Sequence, residues 1–407
     1  MKLLILGGTG LQAESIVLDL LEIDSENIDE ITLASRRPEK LKERVEKIGS
    51  PKVRWATVDV TDHDALVALM KQHDLVFNAA NTPTVFTVIK AALDAEVNLM
   101  GLEGIDQGLV APGAPTDEFG FTKPEYFDEL SEKFAAKGLT AVMGWGYVPG
   151  ITNFIGRVVA DQMDTIDTMV WNYATASLGD KIMFTETPKE MIWLYHQGGI
   201  KVENGEYVRI DPLKERYSVD FPDPIGKVTV QHMSFMPTVP VFKRMYADKG
   251  IQNIDVRLGY WAGYVEMMDY IGSLGLLDDQ PKHVAGVDVA PVDVFLTGPG
   301  VANKEGLNLK EYGCVHLEAC GTKNGNDVSY VADVMGYPIR NLGAMQIITG
   351  IPAAIGIQMF LTGRTPRNGF FTSMHKDIDP QEFFKELGRR GFTVKITSTE
   401  TLIDGQK

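Results

Sequence analysis

Cysteine is almost missing from this chain of 407 residues, which carries only Cys314 and Cys320. Both fall in one strand-like run, Gly313 to Gly321, where six extended steps of about 3.3 Å set them roughly 20 Å apart, beyond disulfide reach. A disulfide-braced fold and a cysteine zinc centre are therefore excluded, and both thiols are expected to be reduced and buried. No His/Cys/Asp cluster has metal-ligand spacing, so no metal is expected. Long apolar runs are also missing. The opening Met1–Leu6 is cut by Gly7 and Gly8, and Ile347 to Leu361 is interrupted by Gly350, Pro352 and Gly356. Neither a signal peptide nor a membrane span is expected, which points to the cytoplasm. Positive charge is in deficit, with 39 Lys+Arg against 55 Asp+Glu and a net charge of −16. That balance argues against nucleic acid or an anionic membrane as partner and for solubility.

What is present begins at the first residues. Lys2-Leu3-Leu4-Ile5-Leu6 reads as a strand running into Gly7-Gly8-Thr9-Gly10-Leu11-Gln12-Ala13. Glycines without a Cβ suit a sharp turn and let a phosphate approach the backbone at a helix N-terminus, with Ala13 in the third small position of the dinucleotide fingerprint. Ile16, Val17, Leu20 and Leu21 follow at helical spacing. A second strand, Glu30 to Ala34, ends in Ser35-Arg36-Arg37 with no acid at its tip. An acid there would bond a ribose 2′-OH, whereas arginine suits a 2′-phosphate. NADP(H) is the expected cofactor, with NAD as the other possibility and solvated surface charge as the other reading of the arginines. A short-chain reductase would also begin with such a turn. It needs Tyr-x-x-x-Lys, however, and none of the 13 tyrosines has Lys four residues later.

Strands and helices alternate to residue ~145, as in a doubly wound parallel sheet. Asp59 and Val60 fall at the end of a third strand, and Ala79-Ala80-Asn81 at the end of a fourth, where small residues let a cofactor cross the strand tips. After Gly150 the pattern changes to strands without a helix between each pair, with hairpin signals at Asn204-Gly205 and Asn324-Gly325-Asn326. Tyr264 to Leu277 is expected as a helix packed on them. A long apolar helix then follows from about Gly343, and Gln381 to Gly388 forms a last one. The fold class expected is α/β, an N-terminal Rossmann doubly wound parallel sheet with an inserted, mostly antiparallel α+β domain. The boundaries expected are 1–145 with 340–407 for the first domain and 146–339 for the second.

The chain resembles the saccharopine dehydrogenase family, including its lysine 6-dehydrogenase-like and carboxynorspermidine dehydrogenase-like members. Beyond the cofactor motif, the resemblance is carried by Gly144-Trp145-Gly146-Tyr147-Val148-Pro149-Gly150-Ile151-Thr152-Asn153, by Leu274-Gly275-Leu276-Leu277 with Gly286 to Pro291, by Thr349 to Gly356, and by Asp379 to Phe383 with Leu387 to Gly391. It implies a pyridine-nucleotide oxidoreductase acting on a C–N bond of an amino acid or polyamine. It also implies C-terminal helices that return to the Rossmann domain, and a middle domain that binds substrate and makes a homo-oligomer, a dimer. One departure stands out. Many amino-acid-oxidising relatives show His-x-Glu and then Thr-Leu-Pro, where this chain reads His232-Met233-Ser234 and then Thr238-Val239-Pro240 without the acid. A less basic or more apolar substrate than lysine or saccharopine is implied. A catalytically silent NADP-binding sensor or assembly protein on the same fold is the alternative function.

Amine oxidation needs a group that takes the ammonium proton, and a pKa near neutrality serves best. His232 and His196 are the expected proton carriers of the middle domain, with structural packing as the other reading of His196. His63 and His73 are expected on the surface. Glu103 and Asp106, just beyond the fifth strand, are candidates for the base or an ammonium anchor, or are turn formers. Trp145 and Tyr147 suit a cover over nicotinamide or substrate, or plain packing. Asn153 and Arg244 complete the expected substrate-binding set, Arg244 with Lys243 as a carboxylate binder. Thr187-Pro188, beside Glu186 and Lys189, reads as a helix entry with Pro at N1.

Overall fold

The computed structural model describes residues 1–401 except 24, 81, 107–112, 179–190, 193–194, 196–197, 212, 234–237 and 298–309. Asn81, His196 and the Glu186 to Lys189 entry therefore lie outside the described residues. The chain runs β1 (Lys2–Leu6), α1 (Leu11–Ile23), β2 (Glu30–Ser35), α2 (Pro38–Ile48), β3 (Val53–Thr57), α3 (His63–Met70), β4 (Leu75–Asn78), α4 (Val85–Ala95), β5 (Asn98–Gly101), α5 (Pro124–Ala136), β6 (Thr140–Met143) and α6 (Ile151–Ala160). There follow β7 (Thr165–Leu178), β8 (Gly199–Glu203), β9 (Glu206–Ile210), β10 (Tyr217–Phe221), β11 (Gly226–His232), β12 (Asn253–Gly259), β13 (Lys282–Val284), β14 (Val287–Val289), β15 (Lys310–Lys323), β16 (Asn326–Gly336), β17 (Gly369–Thr372) and β18 (Thr393–Thr401).

Two compact units result, each made from discontinuous chain. The first holds 1–162, 240–245 and 346–391; the second holds 163–239, 246–345 and 392–407. The expected boundaries at 145/146 and 339/340 thus fall later, at 162/163 and 345/346, and the last sixteen residues belong with the second unit. Helix α6 explains the first shift. Ile151, Phe154 and Ile155 are buried, and Phe154 stacks on Phe383 with ring centroids 4.1 Å apart, so α6 stays in the first core.

The first unit is built on a seven-stranded sheet, β17-β6-β5-β4-β1-β2-β3, with every neighbouring pair parallel. Leu3 to Leu6 and Leu75 to Phe77 are fully buried, the continuous apolar signature of strands covered on both faces. The order reverses between β1 and β4, and a crevice opens at the strand tips of such a switch point. Asp62 caps α3, its side chain accepting from Ala65 N at 3.1 Å. Strand β17, the four-residue run Gly-Phe-Phe-Thr, was not anticipated; β4, β5 and β6 are as short but stand in the regular alternation of strand and helix, which β17 lies outside. His73 is half-buried rather than free at the surface: its ring nitrogens lie 2.9 Å from Leu69 O and 2.9 Å from Thr32 Oγ1.

The second unit is built on a nine-stranded sheet around β7, most of it antiparallel, with β12 parallel to β7. Both expected hairpins form, β8–β9 through Asn204 and Gly205 and β15–β16 through Asn324 and Gly325. The helix expected over 264–277 stops at Ser273, and Gly275 turns the chain at φ +72°. Residues in register across a sheet share a face. Here His232, Arg257, Asn172, His316, Asp333 and Lys395 form one row across six strands. The thiols differ from each other: Cys314 is buried, while Cys320 is partly exposed.

Candidate functional site

The glycine turn is compressed between two strand ends. Gly7 takes the left-handed conformation, φ +76°, and a Cβ there would lie 2.2 Å from Ala79 O; a Cβ on Gly8 would lie 2.8 Å from Ala34 N. Gly8 is required because β2 passes against it. Gly8 N donates to Ala34 O at 2.9 Å and Gly10 N to Gly7 O at 2.7 Å, which closes the turn and starts α1. Thr9, Gly10 and Gln12 are partly exposed, Leu11 is 44% exposed, and Ala13 is buried against the sheet.

At the tip of β2, Ser35 Oγ accepts from Arg37 N at 3.2 Å, and Arg36 and Arg37 are exposed. Arg36 Nη1 lies 3.8 Å from Asp59 Oδ2. Asp59 accepts from Thr61 N at 3.0 Å and Thr61 Oγ1 at 2.8 Å, and these bonds hold its carboxyl below the usual range. Val60 packs partly buried beside it.

At the tips of β4 and β5, Asn78 is fully buried and donates through Nδ2 to Glu103 Oε2 at 3.2 Å, while its Oδ1 accepts from Ala80 N at 3.3 Å. Ala79 N donates to Leu6 O at 3.1 Å, so the Ala79–Ala80 turn is tied to β1. Glu103 has no cationic partner among the described residues, and burial pushes its carboxyl up to about 8. Burial thus favours its protonated form. Asp106 and Arg244, assigned separate roles in the sequence, form an ion pair. Burial raises the Asp106 carboxyl against the pull of that guanidinium. The pair lines a groove of 350 Å³ with Phe127, Phe371, Met374 and His375, and Arg244 sits 5.9 Å from the Phe127 ring centroid. His375 carried no signal beyond being a histidine near the C-terminus, and Asn78 none beyond closing a strand.

Other expected site residues have different surroundings. His232 is fully buried with Nδ1 2.9 Å from Asp255 and Nε2 3.1 Å from Glu215. Lys201 lies 3.0 Å from the same Glu215, and Arg257 Nη2 lies 2.8 Å from Asp255. Carboxylates thus engage both ring nitrogens of His232, and the cluster ties β11 to β12 and, through Lys201, to β8. Trp145 does not form a cover: its ring packs so closely on Gly356 that a Cβ there would lie 2.4 Å from it, and it is 0% exposed. Tyr147 and Asn153 are likewise buried in the first unit, and the Tyr147 carbonyl accepts from Thr152 N at 3.2 Å.

Residues 3–142 match the family model described as the saccharopine dehydrogenase NADP binding domain. The chain is 23% identical over 397 residues to the carboxynorspermidine synthase of Vibrio alginolyticus, covering 92% of each chain. It is 24% identical over 386 residues to the carboxyaminopropylagmatine dehydrogenase of a Synechocystis species, covering 90% of each. The fold superposes on apo saccharopine dehydrogenase (L-Glu forming) from Saccharomyces cerevisiae with a TM-score of 0.76 and 15% identity, over 98% of this chain and 99% of that one. No described helix is long and apolar enough to cross a membrane. Residues 3–142 thus match that NADP-binding domain, and the chain as a whole is similar to these dehydrogenases and shares the saccharopine dehydrogenase fold.

Proposed function

We propose that the protein is an NADP(H)-dependent dehydrogenase acting on the C–N bond of a small carboxylated amine, an amino acid or polyamine-like molecule. The relatives' names, which join a carboxyl group to norspermidine or aminopropylagmatine, support the substrate class. The residues fit the cofactor. The α1 N-terminus, reached through Gly7, Gly8 and Gly10, offers free N–H groups to a pyrophosphate. Arg36 and Arg37, exposed, and Ser35, partly exposed, stand at the neighbouring strand tip for a 2′-phosphate, and Ala79, Ala80 and Val60 leave room beside them. Soluble protein working as a cytoplasmic homodimer is part of the same reading.

Glu103 is the observation that carries the chemistry. When bound, the nicotinamide supplies or accepts the hydride. Glu103, protonated below about 8, gives its proton to the substrate nitrogen during imine reduction and recovers it during amine oxidation. Asn78 holds that carboxyl through its side-chain amide. Arg244 in its groove binds the substrate carboxylate, exchanging Asp106 for it, and Phe127, Phe371 and Met374 accept the aliphatic chain.

The test is a screen that follows reduced-nicotinamide absorbance, NADP⁺ against NAD⁺, over amino acids, polyamines and carboxylated polyamines, then NADPH with aldehydes or keto acids plus amines. Turnover with NADP(H) on one of these confirms the reading. Preference for NAD⁺ refutes the role of Arg36 and Arg37. Tight cofactor binding with no hydride transfer to any of them refutes catalysis and leaves a sensor.

A further inference from the structure

We propose that Arg44 is a positioning residue for the cofactor pyrophosphate, acting through the backbone of the glycine turn; this rests on the NADP(H) reading above. Helix α2 turns one stripe inward, with Leu41 buried and Arg44, Val45 and Ile48 half-buried, while Lys42, Glu43, Glu46 and Lys47 are exposed. Those four inward positions follow i, i+3, i+4, i+7 spacing, and Arg44 occupies one that an apolar residue would normally fill.

A guanidinium taken out of water must recover its hydrogen bonds and find opposite charge. Arg44, with its side chain 17% exposed, finds both at the turn. Nη1 donates to Gly10 O at 2.8 Å and Nη2 reaches Thr9 O at 3.5 Å. The Glu14 carboxylate lies 3.8 Å away. Glu14 is itself steadied by Lys47 at 2.8 Å and by Gln346 Nε2 at 3.3 Å, which also donates to Leu11 O at 3.3 Å.

The C=O and N–H of one planar peptide unit point in opposite directions. Holding the Gly10 carbonyl toward α2 therefore directs the Leu11 N–H, in the same unit, to the opposite side. Leu11 opens α1, where unpaired N–H groups meet an anion. Arg44 spends its charge on Glu14 and two carbonyls, so it acts on the pyrophosphate shared by NADP and NAD. Arg36 and Arg37 act on the 2′-phosphate that only NADP carries.

Two fragments separate these roles: ADP-ribose has the pyrophosphate without the 2′-phosphate, and adenosine 2′-monophosphate has the reverse. Calorimetric titration of Arg44→Met is expected to weaken ADP-ribose by about tenfold, the worth of one charge-assisted hydrogen bond, and to leave adenosine 2′-monophosphate within about twofold. Arg44→Lys recovers only part of the loss, because one ammonium does not span two carbonyls. Unchanged ADP-ribose affinity in Arg44→Met overturns the proposal, as does equal loss of both fragments or melting below the assay temperature. Full recovery in Glu14→Gln/Arg44→Met also overturns it, since the effect would then be uncompensated Glu14 charge. If the unsubstituted protein binds neither fragment, the cofactor reading itself fails.

Discussion

Glu103 in the first unit and His232 in the second are both buried titratable groups, yet their surroundings give them opposite capacities. Glu103 meets a neutral amide from Asn78 and no cation among the described residues, so burial decides its state and leaves a proton that can be given away. His232 is enclosed by Asp255 and Glu215, which Arg257 and Lys201 engage in turn. Burial alone marks neither group as functional. What separates them is whether the neighbours are neutral or charged.

The sharpest break of this contrast is Glu103→Gln, which keeps shape and loses the proton. It is expected to lower kcat by about a hundredfold to a thousandfold while the NADPH dissociation constant holds within about threefold, read by steady-state kinetics and fluorescence titration. A loss of cofactor binding instead would make Glu103 part of the cradle. His232→Gln is expected to do the reverse, costing about 3 kcal/mol in urea denaturation, the low end for a broken buried pair because Glu215 is half exposed, with kcat of the folded protein near that of the parent. A stable but inactive His232→Gln would return that histidine to catalysis.

The pH dependence sharpens the same contrast. Reduction is expected to fall, and oxidation to rise, as pH passes about 8, with both trends absent in Glu103→Gln. Stability carries two separate windows. Glu103 is raised from an ordinary 4.5 to about 8, so its contribution is complete below 4.5 and lost as pH rises through 8. Burial of His316 disfavours its charge, but the hydrogen bonds it donates to Asp333 and Glu318 outweigh this and hold it at about 9, so its contribution is complete below 6.5 and lost as pH rises through 9. Denaturation series across pH should show the first slope vanish in Glu103→Gln and the second in His316→Gln. The smallest effect is expected at the exposed Arg36 and Arg37, where each change to Ala weakens NADP⁺ about tenfold against NAD⁺, measured as a ratio of kcat/KM values.

Local periodicity made most of this fold legible, but β17 and β18 escaped it. The first lies outside the regular alternation of strand and helix, and the second, Thr393–Thr401, is exposed along most of its length and shows little apolar alternation. Its place in the sheet comes from pairing with β16, a long-range fact. The glycine turn and the β2 tip were visible because their chemistry is written in consecutive residues. The partners of His232 were not, since Glu215 and Asp255 come from separate strands or their approaches, and both change what a histidine can do. Trp145 looked like a cover because it stands among glycines, whereas it is Gly356, far along the chain, that admits its ring. Arg44 left one trace in the sequence, a charge on the inward stripe of α2.

The interleaving of the two units bears on how the chain comes off the ribosome. Strands β1 to β6 emerge first, but their sheet lacks its edge until β17 is translated, after all of β7 to β16. The second sheet in turn waits for β18, made after the first unit has received its final helix, Pro380–Arg389. Neither unit can finish before the other is nearly made. Release of a nascent chain short of residue 393 therefore leaves β16 with an open edge, the kind of surface that recruits a strand from another molecule.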